Sequence, residues 1–200
     1  MAQDLELYKQ KDDFAQVLQI IEQRRSQAVQ AVNQASLLTA WEVGAFVSDR
    51  IKNAQWGAKV VQQLAEYIHT QDSTLKGWSR RTIYKMVQFY ETYTSTAFNG
   101  LVERLKLNKK IVSTSLTQIN DAEIVSPVVA QIPQFLLKTG WTNHQIILQQ
   151  CSLPEQYVFY ILYAEHEKLK KRELERAIKT DAYTRVLTDK KYQSQSMRSN

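Results

Sequence analysis

The feature that most constrains the fold is a stretch of about fifty N-terminal residues with almost no helix breaker. Residues 4–53 contain no proline and one glycine, Gly44. Small and apolar residues recur there at steps of three, four or seven, the spacing of one helix face; they are Ile21, Ala28, Ala31, Val32, Ala35, Leu38, Trp41, Ala45 and Ser48. Gly44 lies on the same side and would let another helix approach closely. The pattern predicts one long helix from about Gln16 to Asn53, with room for a shorter helix before it.

A helix of this length exceeds the usual ~10–14 residues, so it needs a surface to pack against. We expect residues 1–55 to form an arm that packs on a domain spanning residues 56–187, or to form a hairpin. A second copy of the chain is a further candidate partner, which would make the protein a homodimer. Residues 188–200 are polar and are expected to form a flexible tail.

The rest of the chain also predicts helices. Only 5 Gly and 3 Pro occur in 200 residues, which favours a mainly α fold. Further helices are predicted over 57–69, 79–93, 131–138, 143–150, from Pro154 onward and over 170–180. In the helix over 79–93, Ile83, Met86, Val87 and Tyr90 form a buried stripe.

Residues 108–130 allow two interpretations. The run 110–118 is rich in β-branched residues, and Asn120-Asp121 could turn the chain. A β-hairpin here would be the wing of a winged-helix domain. Pro127 weakens the second strand, so a loop with short helical turns is the alternative.

Positive charge is concentrated in one segment. Residues 76–110 hold 8 Lys/Arg against 2 Asp/Glu, whereas residues 1–75 hold 7 against 9 and residues 111–200 hold 11 against 9. A local excess of this kind indicates a surface for a polyanion, although an anionic membrane surface would also suit it.

The helix after Trp78 is the predicted DNA-recognition helix. Ser79 is a good N-cap by residue type, and the first turn of such a helix can contact base edges or phosphate. The candidate contact residues of this helix are Ser79, Arg80, Arg81, Tyr84, Lys85 and Gln88. The alternative is an ordinary solvated helix face. The connection from the preceding helix is about eight residues, longer than in an ordinary helix-turn-helix.

Arg104, Lys106, Lys109 and Lys110 form the other half of the basic segment. As a nucleic-acid surface they would anchor the phosphate backbone without reading sequence. Their alternative role is a helix C-terminus, where cations interact favourably with the helix dipole.

The sequence offers no catalytic or metal-binding constellation. The three histidines have no helical spacing to one another, and no Glu-x-Lys pattern of a nuclease occurs. We therefore expect no catalysis, no metal and no cofactor in this chain, and packing or surface roles for the histidines. The single cysteine excludes a disulfide framework. A signal peptide and an apolar run of ~20 residues are both absent, which predicts a cytoplasmic protein without a membrane partner.

Three patches resemble the N-terminal domain of YhcG-type proteins. Residues 41–47, Trp-Glu-Val-Gly-Ala-Phe-Val, resemble its "W-x-I-G-x-x-I" element. Residues 77–90 are similar to its "G-F-S-x-R-N-L-x-x-M-R-x-F-Y" signature. Residues 141–144, 159–160 and 172–178 resemble its "W-S-H … F-Y … R-E-L-x-R-x-I" tail, in the same order.

The resemblance implies a bacterial, helix-rich, winged-helix-like unit that binds DNA, duplex or branched. In that family the unit usually precedes a PD-(D/E)XK nuclease domain and is associated with mobile or defence loci. The nuclease would begin where this chain stops, so the chain is expected to be a targeting module, or half of a split nuclease. The competing class is a helical protein-interaction or dimerisation subunit.

Overall fold

The structure is a computed structural model that describes residues 2–107 and 132–188, and in these ranges it contains helices and no strands. The helices are α1 (Ala2–Lys52), α2 (Ala58–Gln71), α3 (Arg80–Thr94), α4 (Thr96–Arg104), a 3₁₀ helix (Gln134–Lys138), α5 (Trp141–Gln150), α6 (Pro154–His166) and α7 (Lys171–Lys179), and residues 182–188 are also helical. The predicted mainly α fold with a long N-terminal helix is confirmed. The segment 108–130, for which a hairpin and a loop were the two interpretations, and the predicted tail from 189 lie outside the described residues.

Two helix boundaries differ from the sequence expectation. The first helix is continuous from Ala2, without a shorter helix before it. A short helix, α4, follows α3 directly and was not predicted. Ser95 separates the two helices because its hydroxyl donates to the carbonyl of Thr92 at 2.8 Å and accepts from the N–H of Phe98 at 3.3 Å. One serine therefore ends α3 and caps α4.

Helix α3 is the central helix of the fold. It contacts α1, α2, α4 and α5, and its closest partner is α1. Its buried residues are Ile83, Met86, Val87, Phe89 and Tyr93. Neighbours on several sides fix the orientation of α3, so the residues on its remaining face have a defined position relative to the rest of the domain.

Two groups of buried side chains span the α1–α3 contact. The larger group joins Leu37 and Trp41 of α1 to Phe89 and Tyr93 of α3 and continues into α4, α5, α6 and α7. The smaller group joins Val47 of α1 to α2 and to the first turns of α3. Because α1 supplies residues to both groups, its C-terminal part cannot be removed without opening them.

Gly44 allows the close approach of α1 and α3, as the sequence predicted. A Cβ atom built on this residue would lie 2.2 Å from the carbonyl oxygen of Met86 and 3.0 Å from the Cβ of Tyr90. Any side chain here would therefore meet the backbone of α3. Glycine sets the distance between the two helices.

None of the helices in the two described ranges combines the length and the apolar character required to cross a bilayer.

Candidate nucleic-acid interface

The turn before α3 determines where its first residues lie. Gly77 has a φ of +92°, a left-handed conformation that favours glycine. Ser79 follows in an extended conformation, and its hydroxyl accepts a hydrogen bond from the N–H of Thr82 at 3.2 Å. The predicted N-cap is thus confirmed, and α3 begins at Arg80. The other N–H groups of a first helical turn have no partner within the helix and favour an anion.

Two arginines occupy this first turn. The side chains of Arg80 and Arg81 are both exposed. The guanidinium of Arg80 lies over the ring of Tyr84, 5.5 Å from its centroid, which holds the cation against the helix surface. Arg80, Arg81 and Tyr84 line one concavity of about 490 Å³ together with Lys85 and Gln88. Five of the predicted contact residues are therefore neighbours in space, and the sixth, Ser79, caps their helix.

The same face of α3 continues into a groove against α5. The Lys85 ammonium donates a hydrogen bond to the side-chain oxygen of Gln145 at 2.9 Å. The amide of Gln88 donates to the carbonyl of Leu148 at 3.4 Å, a long hydrogen bond at the limit of geometry. A second concavity of about 330 Å³ is lined by Arg81, Lys85, Gln88, Gln145, Leu148 and Gln149.

Gln145 and Gln149 are functional candidates that the sequence analysis missed. They are four residues apart on α5, so they share one helix face, and this spacing was the available signal. Their amide groups supply donors and acceptors beside the cations of α3. The groove thus combines positive charge, suited to phosphate, with amides suited to base edges.

The cations of this surface have no opposing carboxylate among the residues that the structure describes. Where the structure describes side chains, the Lys and Arg residues in ion pairs are Lys52, Arg104 and Lys138. Arg80, Arg81 and Lys85 do not pair with any acid in the described part of the chain, and neither concavity is lined by Asp or Glu from it. Their positive charge is therefore available to an anionic ligand.

The structure does not bring the second basic group into the groove. Lys106 is exposed after the end of α4, with a φ of +53°, and it lines neither concavity. Lys109 and Lys110 lie outside the described residues. The role of these three lysines as backbone anchors stays a prediction.

A larger concavity of about 720 Å³ lies beside α1 and has different chemistry. Its lining is mostly apolar and aromatic, including Phe46, Trp56, Trp78 and Tyr90. The charged groups in it are the carboxylates of Glu42 and Asp49. An acidic, apolar concavity repels phosphate, so size alone does not identify the polyanion site.

The buried histidine of the domain has a structural role. His144 is fully buried, its Nε2 lies 2.8 Å from the carbonyl oxygen of Leu136, and its Nδ1 lies 3.0 Å from the hydroxyl of Tyr93. Because a carbonyl only accepts, Nε2 carries the proton and the Tyr93 hydroxyl donates to Nδ1. Burial lowers the pKa of His144 to about 4, although the Leu136 hydrogen bond opposes this shift. The predicted packing role is confirmed for His144.

Among the side chains that the structure describes, at 11–107 and 132–188, no group of three or more His, Cys, Asp or Glu residues could hold a metal ion.

Taken together, these observations define a helical domain whose central helix presents a cationic end, unpaired with any acid that the structure describes, beside an amide-lined groove. The family model of the DUF1016 N-terminal domain matches residues 16–118, just over half of the 200-residue chain. The chain belongs to this family, which is the N-terminal domain of YhcG-type proteins, so the predicted resemblance is confirmed. Searches of curated proteins and of solved structures gave no significant match.

Proposed function

We propose that this chain is a DNA-binding module that targets a YhcG-type nuclease, either as part of it or as a stand-alone homologue, and that catalysis resides outside these 200 residues. The observation that carries the proposal is the unpaired cationic cluster of Arg80, Arg81 and Lys85 at the start of the central helix. DNA presents a dense line of phosphates, and cations that release its counterions supply most of the non-specific affinity.

The two parts of the surface suit different contacts. The first turn of α3, with its arginines and helix N-terminus, suits phosphate or guanine. The groove between α3 and α5 suits base edges, because Gln88, Gln145 and Gln149 offer both donors and acceptors there. In DNA interfaces, contacts to phosphate usually position the protein and contacts to base edges read the sequence.

The main test removes two of the cations. The double variant Arg81→Ala/Lys85→Ala should lose roughly two phosphate contacts, which corresponds to about thirtyfold weaker binding near 150 mM salt and a salt slope shallower by about 2. Fluorescence anisotropy with duplex, single-stranded and branched DNA over a salt series measures both quantities.

A matched control removes the same charges elsewhere. Lys171 and Arg172 are exposed at the start of α7 and line neither concavity of the interface. Lys171→Ala/Arg172→Ala should change affinity much less, because its charges are remote from the proposed contact. Equal losses in both double variants would show a net-charge effect and contradict the assignment of α3.

Ser79 allows stability and binding to be separated. Ser79→Asp should keep the helix cap, with unfolding free energy within about 0.5 kcal/mol of wild type, because Asp caps as well as Ser. The new carboxylate would lie at the proposed phosphate site, so DNA affinity should fall about five- to tenfold at low salt. Urea unfolding and anisotropy on the same sample check this. Unchanged affinity with an intact cap would place the DNA elsewhere.

A second candidate function is a helical protein-interaction or dimerisation subunit of a bacterial defence or mobile-element system. The observation that favours it is separate from the cationic surface. The side chains of residues 11–32 of α1 are all exposed. Protein binding through this surface does not require DNA, so one protein can have both functions.

A further inference from the structure

The N-terminal half of α1 carries an apolar surface that the described part of the domain does not cover. Residues 11–32 are exposed over 22 residues, about 33 Å of helix. Seven large apolar side chains in this arm are roughly half to two-thirds exposed; they are Phe14, Val17, Leu18, Ile20, Ile21, Val29 and Val32. Contiguous apolar exposure of this kind marks an interaction surface. A bare helix of this composition also gains no tertiary packing to hold it together in water.

Most of these side chains follow a heptad spacing. Steps of four and three residues connect Phe14, Leu18, Ile21, Arg25, Ala28 and Val32. This seam is the pattern by which two helices pack side by side in a coiled coil. Val17 and Val29 flank the seam, whereas Ile20 points to the other side of the helix.

We propose that the arm pairs with the arm of a second copy of this chain, in an antiparallel orientation centred near Gln23. In this register Phe14 faces Val32 of the second copy, Leu18 faces its Ala28, and Ile21 faces its Arg25. Each layer then pairs two side chains of different size or shape, so no layer joins two small side chains and the packing is similar along the seam.

The charges distinguish this orientation from a parallel one. A parallel pair would place Arg25 directly against Arg25 of the second copy, a like-charge contact, and Ala28 against Ala28, a thin layer. In the antiparallel pair Glu22, next to Ile21, comes close to Arg25 of the second copy. The two-fold axis repeats this opposite-charge contact, as an isologous interface requires.

The available area suits a homodimer. Each arm offers four large apolar residues in the seam and two valines flanking it, all about half exposed or more. Two such arms would bury on the order of 1,000 Å² in total, about the lower size of a specific interface. The pairing rests on the arm alone and does not depend on DNA binding.

Two neighbouring isoleucines provide a matched pair of variants. Ile21 is 48% exposed and lies in the seam, and Ile20 is 58% exposed and lies outside it. Ile21→Lys should reduce the mass in light scattering from twice the 23.3 kDa of one chain to a single chain, because the lysine would lie against Arg25 of the second copy. Ile20→Lys should stay dimeric at the same concentration. Far-ultraviolet circular dichroism should show helix loss in Ile21→Lys only.

Cysteine cross-linking tests the orientation. Leu18 and Leu18 of the second copy would be about 15 Å apart along an antiparallel pair, too far for a disulfide. A mixture of Leu18→Cys and Ala28→Cys chains should therefore cross-link on oxidation, whereas Leu18→Cys alone should not. The native thiol interferes little, because Cys151 is buried and burial raises its pKa to about 11.

Three results would overturn the proposal. These are a monomeric wild-type chain at tens of micromolar, equal masses for Ile20→Lys and Ile21→Lys, and self-cross-linking of Leu18→Cys, which would indicate a parallel pair. The arm is unchanged in Arg81→Ala/Lys85→Ala, so failure of the DNA proposal would leave the dimer test intact.

Discussion

Gly44→Ala should lower the unfolding free energy by about 3 kcal/mol or more, which is a large part of the stability of a domain of this size. The added Cβ would lie 2.2 Å from the carbonyl oxygen and 2.8 Å from the carbonyl carbon of Met86. These are backbone atoms, so rotation of a side chain cannot relieve the contact, and α1 and α3 must move apart. Both groups of buried side chains span that contact and would lose packing. Urea unfolding followed by circular dichroism measures the change.

Gly100 provides the control for helix propensity. It lies in α4, and nothing lies within 4 Å of a Cβ built on it. Gly100→Ala should therefore stabilise the protein by about 0.5–1 kcal/mol, because alanine favours the helix and restricts the unfolded chain. The same substitution should have opposite signs at the two glycines. If Gly44→Ala is also neutral or stabilising, the close approach of α1 and α3 is not as the structure shows it.

The long helix and its glycine could be predicted because both are local features. Periodicity over dozens of residues indicates a helix without knowledge of its partners. A single glycine on the packing face of such a helix indicates close approach, and Gly44 lies against Met86 as expected. What the pattern could not show is where packing stops. Residues on one continuous face are buried from about Leu37 onward and exposed before residue 33, which depends on the rest of the fold.

The candidate site also combines residues that local spacing predicts with residues that only the fold brings together. The residues from Arg80 to Gln88 came together because they share one helix face, which spacing alone predicts. Gln145 joins them through its hydrogen bond to Lys85, across sixty positions in sequence. A local sequence pattern cannot predict a contact between residues so far apart in the chain. Conversely, Lys106 is near α3 in sequence, yet it lines neither concavity of the interface.

The short helix α4 was missed for a chemical reason. A serine within a helical pattern can continue the helix or cap a new one, because its side chain competes for backbone hydrogen bonds. At Ser95 the hydroxyl contacts both Thr92 and Phe98, and the chain makes a corner. After the corner Phe98 is fully buried and its ring stacks on that of Phe135, a tertiary contact that no local sequence pattern predicts.

Acid should destabilise the protein through His144. The folded pKa is about 4, against an ordinary value of 6.5. Between these values the unfolded chain takes up a proton that the folded protein does not, so stability is fully present above about pH 6.5 and falls as the pH drops towards 4. The loss from this one group should reach about 3 kcal/mol. Urea unfolding of wild type and His144→Gln from pH 7 to pH 4 measures it.

The comparison between the two proteins isolates this histidine, because all carboxylates titrate alike in both. Glutamine can donate to Leu136 and accept from Tyr93, yet it cannot take up a proton. The two proteins need not be equally stable at pH 7. Between pH 7 and pH 4, however, wild type should lose about 3 kcal/mol more unfolding free energy than His144→Gln. Histidine NMR gives a second reading, since the His144 ring should stay neutral in the folded protein at pH 5. A folded-state titration near pH 6.5 would show that solvent reaches the ring. Burial would then not lower the pKa of His144, and this source of acid sensitivity would be absent.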